Sequence, residues 1–149
     1  MTGLKRKTNI SWRSKSVNLS DFWEFYSWVE AAVKLNPDEF IKNEPLRKKA
    51  IEGIKGLVAI IVEEGVKLLG RTTSVDELPV MLASARVIKG STADDLAELL
   101  ELAQKADELD VSLLYSNLVR FMEVFEEVYF AIAENLKEKQ PPEKDNMSL

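Results

Sequence analysis

Residues 46–69 read LRKKAIEGIKGLVAIIVEEGVKLL, without a proline. Leu46, Ala50, Ile54, Leu57, Val58, Ile61, Leu68 and Leu69 recur at three- and four-residue steps, the spacing of one face of an α-helix. From Leu57 to Val62 six apolar residues follow one another. A helix that is apolar all round over such a length is enclosed by its neighbours. With a rise of about 1.5 Å per residue the stretch spans roughly 36 Å, enough to cross a small domain. A central helix with other helices packed around it is therefore expected.

Three glycines interrupt this helix: Gly53, Gly56 and Gly65. Each costs up to about 1 kcal/mol relative to alanine in a helix interior. Gly53 and Gly56 lie three apart on one face. Close approach of another helix backbone would offset the cost; a ligand groove is the alternative.

Upstream, Asn43-Glu44-Pro45 opens the central helix, and Asn36-Pro37-Asp38-Glu39 starts a short one. Asparagine caps, proline takes the first position, and Glu39 can reach back as in a capping box. An earlier helix is expected to begin near Ser20, a good N-cap with Asp21 behind it, and to end near Leu35. Its stripe is Phe22, Phe25, Val29 and Val33, joined by Tyr26 and Trp28. Downstream, Gly70 closes the central helix. Ser74 with Glu77 makes a second capping box, ahead of a helix carrying Leu78, Leu82 and Ala85 and closed by Lys89-Gly90. Pro79 sits one position later than a first turn favours. Thr92 with Asp94 and Asp95 opens the next helix, whose stripe is Leu96, Leu99, Leu100, Ala103 and Ala106. The last long helix starts near Asp110. It carries Leu114, Leu118, Phe121, Phe125, Tyr129, Ile132 and Leu136 in a stripe, supported by Met122 and Val128. Gln140-Pro141-Pro142 stops it. No stretch alternates with period two over more than a few residues. The expected fold is all-α: a single up-down bundle of five or six helices over residues 19–139. An extended basic arm of residues 1–18 precedes it, and a tail of residues 140–149 follows.

The 149 residues contain neither cysteine nor histidine. Disulfides, thiolate nucleophiles, imidazole bases and the commonest zinc ligands are excluded. Nucleotide-loop and nucleophile-elbow patterns are missing. No cofactor, metal or catalytic residue is expected. The apolar run is too short to span a membrane. The N-terminus has no apolar signal-peptide core, so a cytoplasmic location is expected.

The net charge of −5 conceals an asymmetry. Residues 1–20 hold Lys5, Arg6, Lys7, Arg13 and Lys15 and no acid, leaving −10 for the rest. These cations could neutralise phosphates while Trp12 stacks on a base. Docking on a protein partner, or no role, are the alternatives. Arg47, Lys48 and Lys49 open the central helix, either as a solvated turn or as contacts for an anionic partner. Five of the seven residues 22–28 are aromatic, more than one helical face can bury. Trp23 first, then Tyr26 and Trp28, are candidates for a partner interface. Glu63-Glu64 and Glu126-Glu127 read as solvated helix faces. A hydrolase built on such paired carboxylates is the alternative.

Residues 35–107 resemble the HEPN class, the helical domains of HepT-like toxins. The likeness rests on PDEFIKNEPLR at 37–47, AIEGIKGLVAIIVEEGVKLLG at 50–70, VDELPVMLASARVI at 75–88 and STADDLAELLELA at 91–103. Active HEPN ribonucleases carry an arginine and a histidine at the start of the last core helix. The matching region here, KADELDVSLLY at 105–115, has neither. The resemblance thus implies a non-catalytic relative, acting through protein contacts as a dimer or subunit. NLVRFMEVFEEVYFAI at 117–132, with LLGRTTSVDEL at 68–78, is similar to the small helical subunit of type III CRISPR effector complexes. That likeness implies contact with RNA. Both point to a module that binds a protein partner, a second copy or RNA.

Overall fold

A computed structural model describes residues 15–139, with side chains from Leu19 onward. Six α-helices pack together, and no strand occurs among the described residues. They are α1 (Lys15–Val33), α2 (Pro37–Lys42), α3 (Glu44–Leu69), α4 (Leu78–Ser84), α5 (Gly90–Gln104) and α6 (Val111–Lys139). A single 3-10 turn, Ala106–Glu108, joins α5 to α6.

α3 is the central helix that its sequence predicts, and it packs against each of the other five. Ala50, Ile54, Leu57 and Ile61 are fully buried, and Ile60 nearly so. Its glycines lie where neighbours come closest. A Cβ on Gly53 would stand 2.7 Å from the Phe25 carbonyl oxygen of α1. One on Gly56 would stand 2.6 Å from the Phe25 ring. Absence of side chains along this edge lets α1 lie directly on α3. The close-approach reading of Gly53 and Gly56 is the one the geometry supports.

The helix ends follow the expected chemistry at several points. Asn36 Oδ1 accepts from the Glu39 amide at 2.8 Å, and Glu39 Oε1 accepts from the Asn36 amide at 3.0 Å. Asn43 Oδ1 accepts from the Leu46 amide at 3.1 Å. Gly70 takes the left-handed conformation, φ 73°, and donates to Val66 O. Ser74 and Glu77 exchange side-chain bonds at 3.2 and 3.4 Å, but these close the turn ahead of α4 rather than cap it: the helix starts at Leu78, with Glu77 at its N-cap and no side-chain cap bond. Asp110 Oδ2 accepts from the Ser112 amide at 3.1 Å at the start of α6. Tyr115 donates to Leu35 O at 2.6 Å and so ties α6 to the end of α1.

Three boundaries differ. α1 begins at Lys15 rather than near Ser20. No proline or glycine separates the two positions, and each residue added to an existing helix gains a hydrogen bond. α4 ends at Ser84, not at Lys89-Gly90. Val87 donates to Leu82 O and Arg86 to Ala83 O, both at 2.9 Å, the paired bonds of a Schellman ending. The left-handed position is held by Arg86, at φ 63°. Gly90, freed of that role, starts α5. Thr92 does not cap α5; it is buried and donates to Glu127 Oε2 at 3.0 Å. Arg86→Gly removes a Cβ clash intrinsic to that conformation. Its expected effect is a gain of up to about 1 kcal/mol, read from the urea midpoint.

Candidate functional site

α1 and α6 run antiparallel, with Trp23 beside Phe130 and Tyr26 beside Glu126. Under this seam Phe22, fully buried, stacks on Tyr129 with centroids 4.3 Å apart and planes 14° apart. Above it lie Trp23 and Phe130, 40% and 39% exposed, with ring centroids 5.8 Å apart. Both rings meet Phe22 edge-on, at 5.3 and 6.0 Å. Leu19, 38% exposed, precedes Trp23 by one helical turn, and Tyr26 meets Trp23 edge-on at 5.0 Å. Trp23 and Phe130 thus reach solvent from a buried aromatic base, with Leu19 one turn along α1.

Carboxylates lie beside the two tyrosines of this seam. The Tyr26 hydroxyl donates to Glu126 Oε1 at 3.0 Å. Burial, that bond and the charges of Glu126, Glu30 and Glu123 push its pKa up to about 12. Burial and the charges of Glu64 and Asp21 push Tyr129 up to about 12 as well. Asp21 is itself raised, by burial and then by Glu24. The charges that raise these two tyrosines are carboxylates. Both tyrosines favour the neutral form more in the fold than in the free chain, where ionisation occurs near pH 10. Their stabilising effect is therefore complete below pH 10 and is lost as pH rises towards 12. Alkaline unfolding coupled to tyrosinate absorbance over that interval is the expected observation. Tyr26→Phe with Tyr129→Phe should move it to higher pH.

The interface candidates divide. Trp23 and Tyr26 belong to the patch. Trp28 does not: it meets Phe25 edge-on at 5.1 Å, and Lys49 Nζ sits 4.0 Å from its ring centre. Phe130 and Leu19 were not singled out by the sequence. Phe130 could have been, because it is a large aromatic that falls off the buried stripe of α6.

The cations at the start of α3 each have a partner within the chain. Arg47 donates to the carbonyls of Phe40 at 3.2 Å and Ile41 at 2.7 Å, closing the end of α2. Lys48 pairs with Glu44 at 3.3 Å, and Lys49 lies on Trp28. They do not converge on one anion. Lys5, Arg6, Lys7, Trp12 and Arg13 lie outside the described residues. Lys15 is the first residue of α1.

The paired glutamates do not assemble. Glu63 is exposed. Glu64, read as solvated, is instead only 5% exposed and pairs with Lys67 at 3.0 Å. Glu126 and Glu127 accept from Tyr26 and Thr92 on different helices. Among the described residues no group of three or more acidic side chains could hold a metal ion. A cleft of about 450 Å³ between the α4 entry and α5 is lined by Asp76, Pro79, Glu101, Gln104 and Lys105, among others. It is open and presents no nucleophile beside a base.

No family model, curated protein or solved structure matches the chain. No helix of the described residues is long and apolar enough to cross a membrane.

Proposed function

We propose that this chain is a non-catalytic binding module that docks a protein segment on the α1–α6 face. The observation that carries the reading is the exposed pair Trp23 and Phe130 over the buried Phe22–Tyr129 stack, with exposed Leu19 one turn before Trp23. Aromatic side chains held rigid from beneath lose little entropy on binding and anchor interfaces. The carboxylates around them select a partner that combines apolar and cationic residues. A chain without imidazole or thiol lacks the usual means of turnover. A non-catalytic, HEPN-like ancestry is part of this proposal. It is supported by the order of the four quoted segments, which form α2 to α5.

Selection of random displayed peptides against the full chain tests the function. The expected binders carry Lys or Arg next to Trp, Phe or Leu, and are lost on Trp23→Ser with Phe130→Ser. Binders indifferent to both substitutions would overturn the reading. So would turnover of a substrate by pure protein, abolished by one substitution. RNA is a second reading, supported by the four cations and absence of acid in residues 1–14. It predicts affinity that falls steeply with salt and disappears when those cations are neutralised.

A further inference from the structure

The α1–α6 face is built in four levels. On α1, Leu19, Trp23, Tyr26 and Glu30 follow one another at steps of four, three and four residues, one stripe of the helix. On α6, Phe130, Glu126 and Glu123 do the same in the opposite direction. Trp23 meets Phe130 and Tyr26 meets Glu126, so the antiparallel run brings Glu123 level with Glu30. Both of these carboxylates are exposed, and both act on Tyr26. One end of the face is thus apolar and the other acidic. Past Phe130 the α6 stripe carries Glu134 and then Lys137, whose charges offset each other.

The acidic end has no cation of its own. Elsewhere on the bundle Arg120 takes Asp95 and Glu98, Lys48 takes Glu44, and Lys55 takes Asp107. Among the described residues no cation pairs with Glu30, Glu123 or Glu126. Lys34, four residues past Glu30, still leaves this end acidic. A ligand that brings cations here and apolar side chains to Trp23 and Phe130 complements both ends.

The spacing fixes the form of that ligand. The four levels span about 16 Å, at about 1.5 Å per residue. A helix laid along the seam presents side chains at the same steps of four, three and four, and so meets each level once. An extended segment covers that length with about five residues and turns alternate side chains away. It also finds no sheet edge, because no strand occurs among the described residues. A helix needs none, since its backbone bonds are internal. Size argues against a second copy of the chain. Leu19, Trp23 and Phe130, each about two-fifths exposed, offer roughly 250 Å² of apolar surface. A stable dimer buries about 800 Å² on each partner.

We propose that the segment docked on this face is an amphipathic helix of about three turns. Its apolar residues at i and i+4 sit on Leu19, Trp23 and Phe130, and its Lys or Arg residues at i+7 and i+11 of the same stripe face Glu126, Glu123 and Glu30. This rests on the reading of the face as a docking surface and adds the form of its occupant.

Fluorescence anisotropy of a labelled probe peptide, titrated with the full chain, tests it. The probe is an alanine-based peptide of about 15 residues, long enough to form a helix. It carries Leu, Trp, Lys and Lys at successive steps of four, three and four. A rotated control has the same composition, with both lysines moved to the opposite side of the helix. The probe is expected to bind about tenfold more tightly than the control, from two well-placed ion pairs. The gap should close at about 0.5 M salt, where screening acts within a few Å. Proline in the middle of the probe should abolish binding. Glu30→Gln with Glu123→Gln, both exposed positions, should remove most of the probe's advantage over the control. Equal affinity for probe and control, or undiminished binding of the proline-bearing probe, overturns the proposal. Dimerisation of the chain that is lost on Trp23→Ser with Phe130→Ser overturns it too, by assigning the face to a second copy. If selected peptides bind at Trp23 without this spacing and without gaining helical circular dichroism, the docking face stands and the helical occupant falls. If no peptide, selected or designed, responds to Trp23→Ser with Phe130→Ser, both readings fall.

Discussion

Gly53→Ala is expected to destabilise the bundle by about 3 kcal/mol, the upper part of the range for overpacking a closed site. In an exposed helix the same change would gain up to about 1 kcal/mol from propensity alone. The sign reverses because the new Cβ would lie 2.7 Å from the Phe25 carbonyl oxygen and 3.0 Å from Val29 Cγ2. The carbonyl belongs to the α1 backbone and can move only if the helix moves. Gly56→Ala meets the Phe25 ring instead, and a half-buried ring can turn aside. It should cost less. Gly70→Ala meets nothing; its cost, about 1 kcal/mol, comes from φ alone. Urea denaturation of the three variants should rank them in that order. A Gly53→Ala protein as stable as the parent would mean that α1 and α3 do not meet as described.

Phe22→Ala should be at least as damaging, costing about 3–5 kcal/mol. Phe22 is fully buried, and its ring touches Trp23, Tyr26, Tyr129 and Phe130. The loss would leave a cavity on the α1–α6 seam. It would also remove the base that holds Trp23 and Phe130 in place. Stability and peptide binding should fall together. Trp23→Ser, above the same base, should lower binding as much as Phe22→Ala while costing less stability, because Trp23 is 40% exposed and Phe22 is fully buried. This contrast separates the residue that supports the surface from the residue that forms it.

Most of the architecture was legible because it depends on spacing and capping. The stripes of α3, α5 and α6 are buried nearly as their periodicity requires. The Asn36–Glu39 capping box and the Gly70 ending are local chemistry and appear as read. The boundaries that slipped lack a distinctive residue. α4 closes on Arg86 where glycine is usual, so its end left no mark in the sequence. α1 extends five residues past the attractive cap at Ser20, because nothing breaks the helix there. The candidate site was only half legible. The crowding of aromatics from Phe22 to Trp28 pointed to a surface, and Trp23 stands on it. Its other wall, Phe130, is 107 residues away in the chain and joins Trp23 only through tertiary packing. Periodicity also misplaced Glu64, whose burial depends on α3 being covered on nearly every side.

Calorimetric titration of a selected cationic–aromatic peptide into the parent chain and a Trp23→Ser, Phe130→Ser variant tests the docking claim most directly. The account predicts affinity about thirtyfold weaker in the variant, the roughly 2 kcal/mol of a hot-spot truncation, measured below the variant's own unfolding temperature so that both proteins are folded. Equal affinity in the two proteins would contradict it.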